Sequence, residues 1–355
     1  MFKKIFIFIF LIFIPLFLTG CIKVNFEKNE GGKIFKSIDA GNTWEQKTTL
    51  LSQNKEKQNI NNVNLTKMLF SLDDLQIIFL GTQNNGMYVS LNNGDEWQNI
   101  FISKGKINDI AIDPKSKNII YVAYYNKIFK IQNLKQEMQE IFIENQENKF
   151  ITSLAIDWSN PNKIYAGTSD GTILQSLNSG QSWNMIEGFN KKNETKNKIE
   201  KIVINSFNNR IIYAITTNAG IFKSIDQGNN WQEITLGLEK FTGGKNIFDV
   251  AFDSSKNERI VVATMHGLIK TDNDGKSWED FKLLSLPGTI KIYSVAINPQ
   301  NSKEIYYGTK GAIYKTNDNG NTWIIKKLPI SNTVKILLIN PETPATIYAG
   351  ISKEK

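Results

Sequence analysis

One eight-residue phrase recurs along the chain at a nearly constant interval, and that interval restricts the fold to a repeat architecture. The phrase reads Ser/Thr-x-Asp/Asn-x-Gly-x-x-Trp. It occupies Ser37 to Trp44, Ser90 to Trp97, Ser176 to Trp183, Ser224 to Trp231, Thr271 to Trp278 and Thr316 to Trp323. A worn seventh copy runs from Ile131 to Met138. It keeps Asn133 but carries Lys135 and Met138 where the other copies have glycine and tryptophan. The glycine positions or their equivalent fall at 41, 94, 135, 180, 228, 275 and 320, in steps of 53, 41, 45, 48, 47 and 45 residues. Self-similarity at this period is the signature of a solenoid or propeller, in which each unit buries its apolar faces against its neighbours.

Each repeat reads as four strands. Dense apolar runs with β-branched residues lie at Leu65 to Leu72, Ile107 to Pro114, Ile151 to Trp158, Ile199 to Ser206, Ile247 to Ser254, Ile292 to Pro299 and Val334 to Pro341. Such runs suit largely buried strands. Polar turns such as Asn160-Pro161-Asn162 break them, and a second strand follows, for example Ile164 to Gly167 or Ile211 to Ile215. A third strand such as Gly220 to Ser224 leads into the phrase, which turns the chain into a fourth, Trp231 to Leu236. Four strands per ~45-residue unit describe a propeller blade. No sustained helical periodicity is present, so helices longer than a turn or two are not expected.

The two ends of the chain complete one another. The N-terminal copy supplies only third and fourth strands, from Lys33 to Lys47, and the C-terminal end supplies only first and second strands, through Gly350. The sequence therefore predicts an all-β, seven-bladed propeller over residues 33–355, closed by pairing of its terminal strands so that no long sheet edge stays exposed.

The phrase has a physical role of its own. Asp39, Asn92, Asn178, Asp226, Asn273 and Asp318 are placed to accept backbone amides of their own turns and lock them. The glycine takes the left-handed conformation at little cost. Trp44, Trp97, Trp183, Trp231, Trp278 and Trp323 bring large apolar surface to the joints between neighbouring sheets, each ring nitrogen seeking a partner. These positions read as scaffolding on outer hairpins, remote from any central pocket.

The first 32 residues stand apart. Lys3 and Lys4 precede an unbroken run from Ile5 to Leu18 that holds Pro15, and Leu18-Thr19-Gly20-Cys21 closes it. A basic start, an apolar core and small residues at the cut describe a secretory signal peptide over residues 1–20. The run of 14 residues falls short of the ~20 needed to span a bilayer. The tetrapeptide resembles a bacterial lipobox, which implies that Cys21 is lipidated, that residues 21–32 form a linker, and that the chain is exported and anchored to a membrane at the cell envelope. Cys21 is the single cysteine, so disulfides and cysteine metal ligands within the propeller are excluded.

The repeated phrase resembles the Asp-box, or BNR repeat, and the likeness runs from Lys33 to Gly350. Asp-boxes occur in sialidases, xyloglucan-degrading glucanases, sortilin-type receptors and the propeller that assists photosystem II assembly. Seven blades behind a leader look most like the photosystem II stability-factor type, which implies binding of partner proteins and no catalysis. That resemblance also implies an arginine-rich binding patch, yet Arg210 and Arg259 are the two arginines present. A sialidase needs three arginines to grip its sugar carboxylate in bidentate fashion, which excludes that activity here.

A glycoside hydrolase would need two carboxylates flanking a cleft. Asp109, Asp113, Asp157, Asp170, Asp249 and Asp253 lie on or near inner strands. Asp113, Asp157 and Asp253 share one repeated position with Asn205, Asn298 and Asn340, and Asp/Asn exchange at a repeated site points to a turn role. His266 is the single histidine and reads as an exposed turn residue near the channel mouth. No cofactor fingerprint appears, and the Asn- and Asp-rich turns leave an oxygen-only calcium site open. The net charge of +8 comes from 42 basic against 34 acidic residues. Its lysine excess reads as spread along the chain, with no nucleic-acid groove, though attraction to anionic membranes or wall polymers stays open.

The loops joining second to third strands and blade to blade share one face of a propeller. Tyr124, Tyr125, Asp170, Met265 and His266 are the candidates for a recognition surface there. The expectation is a non-catalytic, lipid-anchored propeller binding an envelope protein or a glycan through this face. The alternative is a carbohydrate-active hydrolase using a carboxylate pair.

Overall fold

A computed structural model of the chain describes residues 32–51, 58–101, 105–135, 137–186, 189 and 197–353. The leader and Cys21 lie outside the described residues. Seven four-stranded antiparallel sheets form a closed seven-bladed propeller. Blade 1 comprises Leu65–Ser71, Asp74–Thr82, Met87–Ser90 and Gln98–Phe101, and blade 2 comprises Ile107–Asp113, Ser116–Tyr124, Lys127–Gln132 and Glu137–Ile143. Blade 3 holds Ile151–Ile156, Ile164–Thr168, Ile173–Ser176 and Asn184–Met185. Blade 4 holds Ile199–Ile204, Ile212–Thr216, Gly220–Ser224 and Gln232–Glu233. Blade 5 holds Ile247–Phe252, Ile260–Thr264, Leu268–Thr271 and Glu279–Asp280, and blade 6 Ser294–Asn298, Asn301–Gly308, Ala312–Thr316 and Ile324–Lys327.

Blade 7 is the closure. Its inner strands, Thr333–Ile339 and Ile347–Ser352, come from the end of the chain, and its outer strands, Lys33–Ser37 and Glu45–Gln46, from the beginning. Lys33 to Ser37 pair in antiparallel register with Ile351 to Ile347. Phe35, 2% exposed, packs with Ile313, Ile347 and Ile351 in the cluster between blades 6 and 7. The apolar core is a ring of such clusters, one at each joint. Second strands of blades 3, 4, 5 and 7 are fully buried on both faces, as at Ile164–Thr168 and Ile260–Thr264, which is why they read as continuous apolar runs.

The repeated turns are built alike. In the first, the Ser37 hydroxyl donates to Asp39 at 2.8 Å and accepts the Gly41 amide at 2.8 Å, while the Asp39 carboxylate accepts the Thr43 amide at 2.8 Å. The same three bonds recur around Asn92, Asn178, Asp226, Asn273 and Asp318. The residue before the glycine is also left-handed: Ala40, Asn93, Ser179, Gln227, Asp274 and Asn319 have φ between 56° and 63°. The sequence reading credited this conformation to the glycine alone.

The tryptophans pack at the joints between blades and find different partners. Trp97, Trp278 and Trp323 donate to Lys47, Ile234 and Lys282 carbonyls of the preceding blade. Trp183 and Trp231 donate to Gly180 and Gly228 of their own turns, and the buried Trp44 ring nitrogen has no hydrogen-bond partner. In the worn copy a 3-10 turn, Asn133–Lys135, replaces the phrase. Leu134 then packs into the cluster between blades 1 and 2 with Ile100 and Phe101, while Met138 is 57% exposed.

A latch absent from the sequence reading joins successive blades. Tyr348, Tyr121 and Tyr165 on second strands donate to Asn93, Ser179 and Gln227 carbonyls in the next blade's repeated turn. Tyr213 donates to the Asp274 carboxylate at 3.0 Å. Burial pushes the Tyr121 and Tyr165 hydroxyls up to about 12, so these donors keep their protons. One fourth strand is shorter than expected. In blade 4, Gln232–Glu233 replaces the predicted Trp231 to Leu236. The Thr235 hydroxyl accepts the Ile221 amide, and the 3-10 turn Leu236–Lys240 carries the fully buried Leu238 into the cluster with Trp278. Burial at the joint outweighs two further ladder bonds.

Left-handed alanine costs about 1 kcal/mol relative to residues that tolerate it. Ala40→Asn, which copies Asn93 and Asn319, is therefore expected to raise stability by about 0.5–1 kcal/mol in urea unfolding. The amide and hydroxyl of Thr43 hold Asp39 at about 2, below its ordinary 3.8, and the hydroxyl and amide of Thr322 do the same for Asp318. Folded-state values below the unfolded ones favour the native state above about pH 4, and that contribution disappears as pH falls through about 2. Carboxyl-resolved NMR titration should find these two groups ionised at pH 3.

Candidate functional site

Every inner strand ends its first turn at a central channel, and a bulge in six of the seven decides what faces it. In blades 1–5 and 7 the register skips Thr66, Asn108, Thr152, Glu200, Phe248 and Lys335. Bulges re-aim side chains, and all six residues line a cavity of about 900 Å³ at the channel. The residue after the bulge follows a pattern around the ring: Lys67, Asp109 and Ser153 in blades 1–3, then Lys201 and Asp249 in blades 4–5, with Ser294 opening blade 6.

These residues stitch each blade to the next. Lys67 lies 2.6 Å from Asp109, whose other oxygen accepts the Leu154 amide of blade 3 at 2.9 Å. Ser153 accepts the Ile202 amide of blade 4, and Lys201 donates to the Val250 carbonyl of blade 5 at 3.2 Å. Asp249 accepts the Val295 amide of blade 6 at 3.0 Å, and Ser294 donates to the Val334 carbonyl of blade 7. Ser352 of blade 7 accepts the Leu65 amide of blade 1, which completes the circuit.

The carboxylates that a hydrolase would use are thus engaged. Asp109 is 4% exposed and also accepts the Ile110 amide, and Asp249 accepts the Val250 amide. Glu200 pairs with Lys198 at 2.8 Å and accepts the Thr217 hydroxyl. The second group of acids makes turns, as expected. Asp157 accepts the Ser159 and Asn160 amides, Asp253 those of Ser255 and Lys256, and Asp113 that of Lys115. Asn205, Asn298 and Asn340 do the same at their positions. Among the described residues no group of three or more His, Cys, Asp or Glu side chains is placed to hold a metal ion.

The channel also changes the reading of the charge. Seven lysines and three carboxylates line it: Lys67, Lys106, Lys198, Lys201, Lys291, Lys335 and Lys353 against Asp109, Glu200 and Asp249. The lysine excess is therefore not merely spread; closure of the ring gathers it from five blades and the segments that lead into them. Low-dielectric walls around such a cluster focus its field at the mouth. The five residues expected to form a recognition surface do not line this channel. Tyr124 and Tyr125 flank a separate cleft between blades 2 and 3 with Phe150, their rings edge to face at 4.8 Å. Asp170 is tied to Thr168 and Lys149, and Met265 is 54% exposed. His266 is not the exposed residue expected. Its ring is half-buried against Phe241, with centroids 5.1 Å apart.

With this geometry in view, comparisons with known proteins narrow the class. The family model described as photosynthesis system II assembly factor YCF48 matches residues 191–337, less than half of the chain. No curated protein sequence matches. Among solved structures, a GH74 xyloglucanase from Xanthomonas campestris superposes with TM-score 0.65 at 15% identity, covering 90% of this chain and 52% of that one. YCF48 bound to D1 peptide superposes with TM-score 0.60 at 13% identity, covering 86% and 98%. YCF48 from Cyanidioschyzon merolae gives TM-score 0.60 at 13%, covering 81% and 95%. The chain spans about half the length of the xyloglucanase and nearly the whole of the assembly factor. The class is therefore the BNR-type seven-bladed propeller, and within it the chain resembles the photosystem II assembly factor. Identities this low carry the fold and not the activity.

Truncating Asp109 strands the Ile110 and Leu154 amides and the Lys67 ammonium around a buried gap. Asp109→Ala should destabilise by about 3 kcal/mol. Asp249→Ala, at a more exposed position, should lose less; equal losses in urea unfolding would contradict the stitching role.

Proposed function

We propose that this protein is a non-catalytic propeller that binds another protein through the channel face, held at a membrane of the cell envelope by lipid on Cys21. The observation that carries this reading is the state of the channel acids. Asp109, Glu200 and Asp249 each hold backbone amides, hydroxyls or lysines of the scaffold, so the carboxylates among the described channel residues serve the scaffold and offer no unengaged pair for acid and nucleophile roles. Support also comes from the likeness to YCF48, a propeller of nearly the same extent that has been captured with a peptide. Lysine in place of an arginine patch is compatible with binding, since point charges steer and hold an anionic partner without fork geometry. The hydrolase reading has less behind it, because the xyloglucanase is about twice this length.

Metabolic labelling with a fatty acid tests the anchor: label should enter the wild-type chain and be lost in Cys21→Ala, which should leave the membrane fraction. Cross-linking in intact cells followed by purification should then yield one dominant protein adduct with the anchored chain. Turnover of any oligosaccharide in a glycan panel, abolished by Asp109→Asn or Asp249→Asn, would overturn the non-catalytic reading.

A further inference from the structure

The channel lining is not uniform around the ring. On the blade 1–3 side the bulges present Thr66, Asn108 and Thr152, small and neutral. On the blade 5–7 side they present Phe248 and Lys335, and the approach to blade 6 adds Lys291 and Tyr293. Lys291 Nζ lies 4.9 Å from the Phe248 ring centre and 5.0 Å from that of Tyr293, and Lys335 Nζ lies 5.5 Å from Tyr293. Two ammonium groups are thus seated over one buried aromatic ring. Phe248 itself is 40% exposed at the channel.

We infer that this side of the channel is a binding subsite for an extended acidic polypeptide segment that carries an apolar side chain. The inference rests on the partner-binding reading above and names the chemistry of that partner. The lining carries more than twice as many cations as anions, whatever each lysine does individually, so the site attracts carboxylates. Cation–π seating holds Lys291 and Lys335 near the rim and lowers the entropy lost when a ligand carboxylate pairs with them. Phe248 offers an apolar landing place between the charges, and a cavity of about 900 Å³ takes a ligand of drug-like size, a few residues of peptide. Thr66, on the opposite side, has a buried hydroxyl with no hydrogen-bond partner, which can accept from a peptide amide. A polyphosphate has no N–H donor to offer it.

The test uses the full-length protein in detergent and a fluorescein-labelled peptide of eight glutamates around one phenylalanine. Its controls are a glutamine-for-glutamate analogue and inorganic polyphosphate. Anisotropy at low salt should show binding of the acidic peptide alone, weakened steeply at 0.5 M NaCl. Lys291→Gln with Lys335→Gln should weaken it at least tenfold with an unchanged unfolding transition, and Lys256→Gln, in the inner-hairpin turn of blade 5 outside the cavity lining, should not. Phe248→Ala should weaken the phenylalanine peptide more than an all-glutamate peptide, which loses only the seat of Lys291; equal weakening of the two would remove the apolar contact from the assignment. Equal binding of the neutral analogue, indifference to the double substitution, or capture of polyphosphate in preference to peptide would each overturn the assignment. If the double variant still forms the wild-type cross-linked adduct in cells, the subsite falls while the partner-binding reading stands.

Discussion

The propeller depends on one kind of contact, a polar bond thrown from the mouth of each inner strand to the next blade. Apolar clusters fill the joints but do not fix the angle between sheets, because dispersion and burial are non-directional. The bonds from Asp109 to Leu154, Ser153 to Ile202, Asp249 to Val295 and Ser294 to Val334 are directional and sit at the axis. A small error in angle there would be multiplied at the rim. Pairing of Lys33–Ser37 with Ile347–Ser352 then makes the seven angles add up to a full turn.

The same contacts explain the electrostatics. By placing its acids where amides and lysines satisfy them, the scaffold removes them from chemistry, and what remains at the channel is mostly cationic. Position in the ring, not residue type, separates the two roles of aspartate. Asp39 and Asp318 hold exposed outer turns, Asp157 and Asp253 cap turns on inner hairpins, and Asp109 and Asp249 bridge blades.

The parts legible in the sequence are those written locally. The repeated turn carries its hydroxyl, acceptor, glycine and tryptophan within eight residues, so its bonds and spacing were visible, and with them the blade count and the closure. Inner strands were found to within a residue or two because their joint-facing positions are densely apolar and β-branched, even though the other face meets the channel. The channel was hidden for the opposite reason. Lys67, Lys201, Lys291 and Lys335 lie far apart in the chain and meet only when the ring closes. The order Lys67, Asp109, Ser153, Lys201, Asp249, Ser294 was in principle detectable, at one fixed offset into each inner strand. The tyrosine latches could likewise have been suspected from the recurrent Ile-Tyr pairs at Ile120, Ile164, Ile212, Ile305 and Ile347. Tyr124, Tyr125 and His266 stand outside the channel lining, a placement that loop composition does not encode.

The joint between blades 1 and 2 is unlike its six neighbours. Leu134 stands in for the indole, and Phe79, where five of the six other second strands carry tyrosine, has no hydroxyl to reach across. Two ion pairs bind this seam instead, Lys67 with Asp109 at 2.6 Å and Lys117 with Asp74 at 3.0 Å. Salt screens the more exposed Lys117–Asp74 pair and leaves the pair at the buried Asp109 largely intact. In concentrated electrolyte this seam therefore loosens at one contact, while the buried pair and the apolar cluster keep the ring shut.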